Sequence, residues 1–420
     1  NDAPTTMATI ATGVVEPEEI VVLHPGESLT PGQFRYAPNG RFKVGLAQTD
    51  GDLVLLAVDS SGESVIWSSG TSSSVDPNAS AREVKCFMQD DGNLVLRDVQ
   101  TKQSLWMTKT HGNPQARLVL DDFGRITVRS DDDYRTALWM DGLPRQKYTG
   151  PSSTDMTFPI RGAFYYPWYP STWHVNGHRA HYDTSLGMYS SSDPIVANAH
   201  IDAMDFGRIQ LSIASWWGPS TNLDRARLTM LMDETITRKS RLKWTVYHED
   251  ERDYDPTPEE LKADLDYLKK WFTWHEAWAH IDGKPVIFVY NEAGCEVASR
   301  WVQASRDEWY VVLKLFSGFE DCPDQPDSWH QYGVGKKDGI VQNPGHSFVV
   351  APGFWKADTD IPLLKRLDRT KFCQNTQKMV ESGEPWQLIV SFNEAGEGTL
   401  IESSPDWKSD SGYGDYLDCL

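Results

Sequence analysis

The chain has 420 residues, enough for two or three domains, and 40 basic against 60 acidic side chains leave a formal charge of −20. A field of that sign repels phosphate backbones and anionic lipid, and no run of Lys or Arg exceeds two, so neither nucleic acid nor membrane is an expected partner. No apolar stretch reaches the roughly 18 residues that a membrane-spanning helix needs. Seventeen Trp and 16 Tyr supply flat faces with a polar tip, which suit sugar rings where exposed and a core where not.

Residues 1–17 lack periodicity and read as a tail. Three segments then share one plan: Gln48-Thr-Asp50-Gly-Asp52-Leu-Val-Leu, Gln89-Asp-Asp91-Gly-Asn93-Leu-Val95-Leu, and the weaker Asp121-Asp-Phe-Gly-Arg-Ile-Thr-Val. Each is a turn-prone cluster feeding an alternating strand, and each reaches a tryptophan downstream: Trp67, Trp106 and Trp139. The repeat predicts three antiparallel sheets around a shared tryptophan core, over 18–146.

Gln89-x-Asp91-x-Asn93-x-Val95 resembles the mannose signature Q-x-D-x-N-x-V-x-Y of bulb-type, snowdrop-like lectins, and Gln48, Asp50 and Asp52 stand at the matching positions of the first repeat. The resemblance implies an all-β β-prism whose strand alternation aims these side chains at mannose. The signature tyrosine is Leu56, Arg97 and Arg129 in the three repeats, and the third repeat reads as structural. A turn motif is the alternative role for Asp91 and Asn93.

Residues 147–157 are polar, carry Gly-Pro and read as a linker to the remainder, 158–420. There, apolar runs at 162–168, 209–217, 242–249, 285–291, 309–315, 328–332, 347–351 and 386–394 alternate with amphipathic stretches such as 224–239 and 258–278. Thr257 and Glu260 form a candidate capping box for the latter. Eight strands with interleaved helices predict an α/β (β/α)8 TIM barrel, so the strand C-terminal ends are where a site belongs. They carry aromatics and carboxylates, the equipment of a glycosidase cleft.

Ala163-Phe-Tyr-Tyr-Pro-Trp-Tyr169 and Ser391-Phe-Asn-Glu-Ala-Gly-Glu-Gly-Thr399, followed by Glu402, resemble glycoside hydrolases of family 99, the endo-α-mannosidase and endo-α-mannanase group. The family run reads S-F-N-E-W-H-E-G-T, so both glutamates carry over as Glu394 and Glu397 while Trp-His is Ala395-Gly396. The resemblance implies a retaining reaction on internal α-mannosidic bonds of mannan or high-mannose glycans. In it Glu394 deprotonates the substrate's 2-hydroxyl, a 1,2-anhydro sugar forms, and Glu397 serves as acid and then base. Glu397 is expected to need a raised pKa, supplied by an ionised Glu394. Tyr166, Trp168, Tyr169, His174, Trp216, Trp217, Tyr247, Glu249 and Asn393 are the expected substrate-binding residues. Neither cofactor nor metal is implied; His174, His178 and His181 have a metal-like spacing but lie in a Gly/Asn/Arg loop. Glu292, in a second Asn-Glu-Ala-Gly run, is a candidate for the far wall, with coincidence equally open.

Cys295 and Cys322 follow neighbouring strands, and Cys373 and Cys419 lie on the last two helices, which predicts these two bridges and leaves Cys86 free and buried. The start at Asn1 and the sequon Asn78-Ala79-Ser80 lead to the expectation of a processed, secreted protein. Two readings stand: a mannan-cleaving enzyme with a targeting lectin, or a lectin whose barrel has lost catalysis and serves as scaffold or second glycan-binding surface.

Overall fold

The computed structural model describes residues 19–59, 62–71, 83–121, 124–130, 137–142, 155–219, 222–249, 255–334 and 337–420. The expected tail, the sequon at Asn78 and residues 147–154 of the linker lie outside them.

The first unit contains three four-stranded antiparallel sheets. Each repeat supplies a hairpin ending in its tryptophan, and Trp67, Trp106 and Trp139 meet edge-to-face with ring centroids 5.5–5.8 Å apart. That geometry places the positive ring edge of one indole against the negative face of the next. The strand Glu19–Leu23 pairs with Arg117–Asp121, so the start of the unit completes the sheet of its last repeat. Gly92 has φ +89°, and an added Cβ would lie 2.0 Å from the Asn113 carbonyl oxygen, which restricts this turn to glycine.

Each of the eight apolar runs of the second unit carries a strand, with cores at Ile160–Tyr165, Leu211–Trp216, Lys243–His248, Lys284–Val289, Tyr310–Lys314, Ser328–His330, Ser347–Val350 and Trp386–Ile389. They form one curled parallel sheet in the order 6-5-4-3-2-1-8-7, with an antiparallel strand, Ile340–Asn343, beside the seventh. Among the described residues no ladder joins the sixth strand to the seventh; the Gln331 amide donates to Ser347 Oγ there at 3.0 Å. Strand alternation sorts the side chains. Phe164, Ile213, Tyr247, Phe288, Val312 and Leu388 fill the interior, whereas Tyr165, Trp216, Trp244, Val289 and Leu313 face the helices.

Five α-helices are described: α1 (Pro194–Phe206), α2 (Asn222–Thr237), α3 (Pro258–Trp271), α4 (Cys295–Ser305) and α5 (Arg369–Ser382). Helix α3 begins at the predicted capping box: the Glu260 amide donates to Thr257 Oγ1 at 3.3 Å, and the Thr257 amide to Glu260 Oε2 at 2.8 Å. Its buried stripe is Leu261, Leu265, Leu268 and Trp271. The fifth strand is followed only by a single 3-10 turn, Phe319–Asp321, and the C-terminal segment ends in another, Leu417–Cys419, in place of an eighth helix. The bridges are Cys295–Cys322 and Cys373–Cys419, and Cys86 is free and buried, as expected from pairing the other four.

Helix α2 joins the two units. Arg125 donates to Asp121 at 2.7 Å and to Asp233 of α2 at 3.0 Å, and His275 lies 3.1 Å from the other Asp233 oxygen. In the opposite direction Arg225 of α2 pairs with Asp141 at 2.9 Å, its guanidinium 4.0 Å from the Trp271 ring centre. Arg227, two residues on, donates to the carbonyls of Pro167 and Tyr169 at 2.7 and 2.8 Å. One helix therefore holds both the first unit and the loop after the first barrel strand.

Candidate active site

The C-terminal ends of the barrel strands enclose a cavity of about 440 Å³. Tyr166, Trp168, Tyr169, Trp217, Tyr247, Glu249, Glu394 and Glu397 line it, so eight of the residues expected at the barrel mouth meet at one place. Five further side chains contribute charge or hydroxyls without having been expected: Thr172, Tyr290, Tyr332, Lys356 and Asp358. Tyr290 and Tyr332 were open to inference, because each stands two residues after an interior side chain, Phe288 and His330. Lys356 and Asp358 belong to the irregular segment after the seventh strand, where no periodicity marks a direction.

Three expected contacts lie elsewhere. Trp216 is adjacent to interior-facing Ser215, so alternation turns it outward, where its ring stacks on Tyr267 and packs against His248. His174 is exposed on a two-residue strand paired with Arg179, and its neighbour Val175 takes the place in the cavity wall. Asn393 is fully buried beneath the wall. Its Oδ1 accepts the Tyr166 amide at 2.7 Å and its Nδ2 donates to the Tyr166 carbonyl at 3.1 Å, so it positions Tyr166 rather than meeting a ligand. Glu292 is exposed and outside the cavity lining. His181 stacks on Trp355 at 3.8 Å, and among the described residues no group of three or more His, Cys, Asp or Glu side chains is placed to hold a metal ion.

Glu394 is 9% exposed, and its amide donates to Ser391 Oγ at 2.9 Å. Tyr332 Oη donates to Glu394 Oε2 at 3.3 Å and lies 2.8 Å from Tyr166 Oη. Burial, followed by the charges of Glu397 and Glu249, holds the Glu394 carboxyl well above the usual carboxylate range, with the two phenols opposing. Glu397 is shallower, a quarter exposed, with Lys356 Nζ 3.3 Å from its Oε1. Glu249 accepts from Ser215 Oγ at 2.7 Å. Burial also keeps Tyr166, Tyr247 and Tyr332 protonated as donors. It drives His330, 3.1 Å from Tyr247 Oη, down to about 3 with help from Lys314, so that imidazole is neutral. Thr172 Oγ1, in the cavity wall, is buried without a hydrogen-bond partner.

The Ala395-Gly396 departure divides in two. Ala395 is fully buried in the core between sheet and helices, so the missing bulk of that residue is not missing from the cavity. Gly396 does line the cavity, where a Cβ would lie 3.1 Å from Val175 Cγ2. The hairpin carrying Val175 and Asn176 packs against it, and Asn176 Nδ2 donates to Asp358 Oδ2 at 2.8 Å.

In the first unit the signature residues separate by depth. Gln48, Gln89 and Asp91 are at least partly accessible, while Val95 is buried. Asp50 Oδ1 accepts the Asp52 amide at 3.1 Å, and Asp91 Oδ1 accepts the Asn93 amide at 3.0 Å, the same turn twice. Asp52 is buried and accepts from Ser68, Ser69 and Thr71. Burial alone would raise its carboxyl, but these bonds outweigh it and hold the group below the usual range. Asn93 Oδ1 accepts the Thr110 amide at 3.1 Å and Thr108 Oγ1 at 3.2 Å. Asp52 and Asn93 therefore anchor the strand bearing each tryptophan.

The family model described as Glycosyl hydrolase family 99 matches residues 169–304, from the end of the first barrel strand through α4. The chain is glycoside-hydrolase-like over that span; Glu394 and Glu397 lie beyond it. Among solved structures, an endo-alpha-mannosidase of this family from Bacteroides thetaiotaomicron is 20% identical, with 61% of this chain and 92% of that chain covered at a TM-score of 0.47. A glycoside hydrolase-like protein is 15% identical over 66% of this chain and 97% of its own, at 0.44. A lectin from Allium sativum is 23% identical over 27% of this chain and 96% of its own, at 0.21. No curated protein matches the chain.

Proposed function

We propose that the barrel cleaves internal α-mannosidic bonds of mannan or high-mannose glycans with retention of configuration. The observation that carries this reading is the convergence of Glu394 and Glu397 in one aromatic-walled cavity, with Glu394 the deeper. Ionised Glu394 takes the proton of the substrate's 2-hydroxyl, whose oxygen attacks C1. The bond from C1 to the leaving oxygen breaks, and that oxygen takes a proton from Glu397. Water, deprotonated by Glu397, then attacks C1; the epoxide bond opens and O2 regains its proton from Glu394. A raised pKa makes Glu394 the stronger base once ionised, which favours abstraction from an alcohol. Tyr166, Trp168, Tyr169, Trp217 and Tyr247 supply stacking faces, and Thr172 Oγ1 has a free hydroxyl for the sugar.

Incubation with yeast mannan and with high-mannose N-glycans should release oligosaccharides. Glu397→Gln should lower turnover by about 10²–10⁴-fold and be partly rescued by a substrate with a good leaving group. Efficient cleavage of a 2-deoxy substrate would sink the internal-nucleophile step.

A second reading is a glycan-binding protein with an inert barrel. The Lys356–Glu397 pair and the altered Ala395-Gly396 segment favour it. Binding of mannans by wild-type protein with no product from any of them would decide for it. In either case we assign the first unit as a bulb-type β-prism lectin domain that meets mannose through the accessible Gln89 and Asp91, and the whole as secreted. The two bridges fit an oxidising compartment.

A further inference from the structure

The opposite end of the barrel carries a feature that the cleft does not explain. At the N-terminal ends of the first three strands lies a groove of about 990 Å³ lined by five cations: Arg161, Arg208, Lys239, Arg241 and Lys243. Two carboxylates, Asp155 and Asp205, share it, so the lining has an excess of positive charge in a chain of formal charge −20. Both carboxylates are engaged by neutral donors: Asp155 accepts the Gly283 amide at 2.6 Å and Asp205 accepts Ser240 Oγ at 2.7 Å. Lys243 Nζ donates to the Glu276 carbonyl at 2.7 Å, and Arg161 Nη1 donates to the main-chain oxygens of Gly207 and Leu420 at 3.4 and 2.5 Å. Arg161 Nε is buried with no partner. Arg208, Lys239 and Arg241 are exposed and form no ion pair among the described residues, unlike neighbouring Arg238, which pairs with Asp202.

Arg208 and Lys239 follow α1 and α2 in the left-handed conformation, at φ +52° and +57°, where glycine is the usual residue. A cation there complements the helix dipole, but that accounts for neither Arg161 nor Arg241 and Lys243, which belong to strand starts. Burial, then the charge of Arg208, depresses the Arg161 guanidinium, and burial depresses Lys243 against the opposing charge of Glu276. The groove has no aromatic lining for stacking nucleobases, which argues against single-stranded nucleic acid. Planar guanidinium forks instead match oxyanions bidentately.

We propose that this groove is an anion site for phosphate or sulfate groups, borne either by a free oxyanion compound or as esters on a glycan. The experiment is calorimetric titration of the full chain at low ionic strength with tripolyphosphate, phosphorylated mannan and neutral mannan. The comparison variant is Arg208→Gly/Lys239→Gly/Arg241→Ala, in which glycine suits the two left-handed positions and the fold is spared. Wild-type protein should bind tripolyphosphate saturably, and the variant about a hundredfold more weakly. Phosphorylated mannan bound more tightly than neutral mannan, with the difference lost in the variant, identifies a glycan ester as the source; equal binding of the two mannans identifies a free oxyanion. Failure of wild-type protein to bind either phosphate probe, or equal binding by the variant, overturns the proposal. So does preference for single-stranded DNA over both. None of these outcomes depends on turnover in the cleft, so failure of the catalytic reading would be seen separately.

Discussion

Tyr332 Oη donates to Glu394 Oε2 across 3.3 Å while lying 2.8 Å from Tyr166 Oη, so a pair of buried phenols faces the carboxyl. A bond to the charged form favours it, and its loss must raise the carboxyl further. In the proposed reaction Glu394 acts as the ionised base, so activity falls as pH drops through its pKa. Tyr332→Phe should therefore move the acid limb of the rate profile upward by about one pH unit, leaving the high-pH side little changed. An unmoved limb would dissociate Tyr332 from the base.

The same burial has a cost in stability. Because the folded Glu394 pKa lies above its unfolded value of 4.5, the folded state binds more protons as soon as pH exceeds that value, and stability falls as pH rises toward the folded pKa. Glu394→Gln removes the penalty. Thermal melting should show the variant more stable than wild type at neutral pH, with the advantage vanishing below about pH 4. A constant difference across that range would mean that Glu394 is not the titrating group.

Restoring the family residues should not be neutral. Ala395 is fully buried, so Ala395→Trp forces an indole into a filled core and should destabilise by about 1–3 kcal/mol or more, read from urea unfolding. Gly396→Ala meets Val175 at 3.1 Å and should be rescued by Val175→Ala, which makes room for it. Lack of coupling between the two substitutions in a double-mutant cycle would contradict the packing of the hairpin against Gly396.

Asn93 and Asp91 should respond differently to alanine. Asn93→Ala strands the buried Thr110 amide and should cost about 1–3 kcal/mol. Asp91→Ala loses only a turn bond at an exposed position and should affect mannose binding, measured by calorimetry, more than melting. Equal loss of stability in both would reduce the signature to a turn.

The tryptophan repeat and the eight apolar runs were legible because each encodes a period: a strand period of two, and turn glycines such as Gly51 and Gly92 about 41 residues apart. Cleft residues at strand ends follow from the same logic, provided alternation is carried through to the last residue of each strand. Trp216 and Asn393 were expected at the mouth because they sit in the right segments, yet parity turns one outward and burial places the other beneath. Lys356 and Asp358 were out of reach, since an irregular loop gives no rule for direction. The basic groove was hidden for another reason: Arg161, Arg208 and Lys243 are far apart in the chain, and only the curl of the sheet collects them.

Helix α2 presents one set of side chains to Asp141 and Arg125 and another to the carbonyls of Pro167 and Tyr169. Separation of the two units would break the largely buried Arg125–Asp233 and Arg225–Asp141 pairs, which makes the seam costly to open. The assembly then behaves as a ruler rather than a tether. In the proposed reading, a glycan held on the first unit would meet the barrel mouth at a constant span and angle. Which branch of a large mannan entered the cavity would then be set by rigid geometry, not by the reach of a flexible linker.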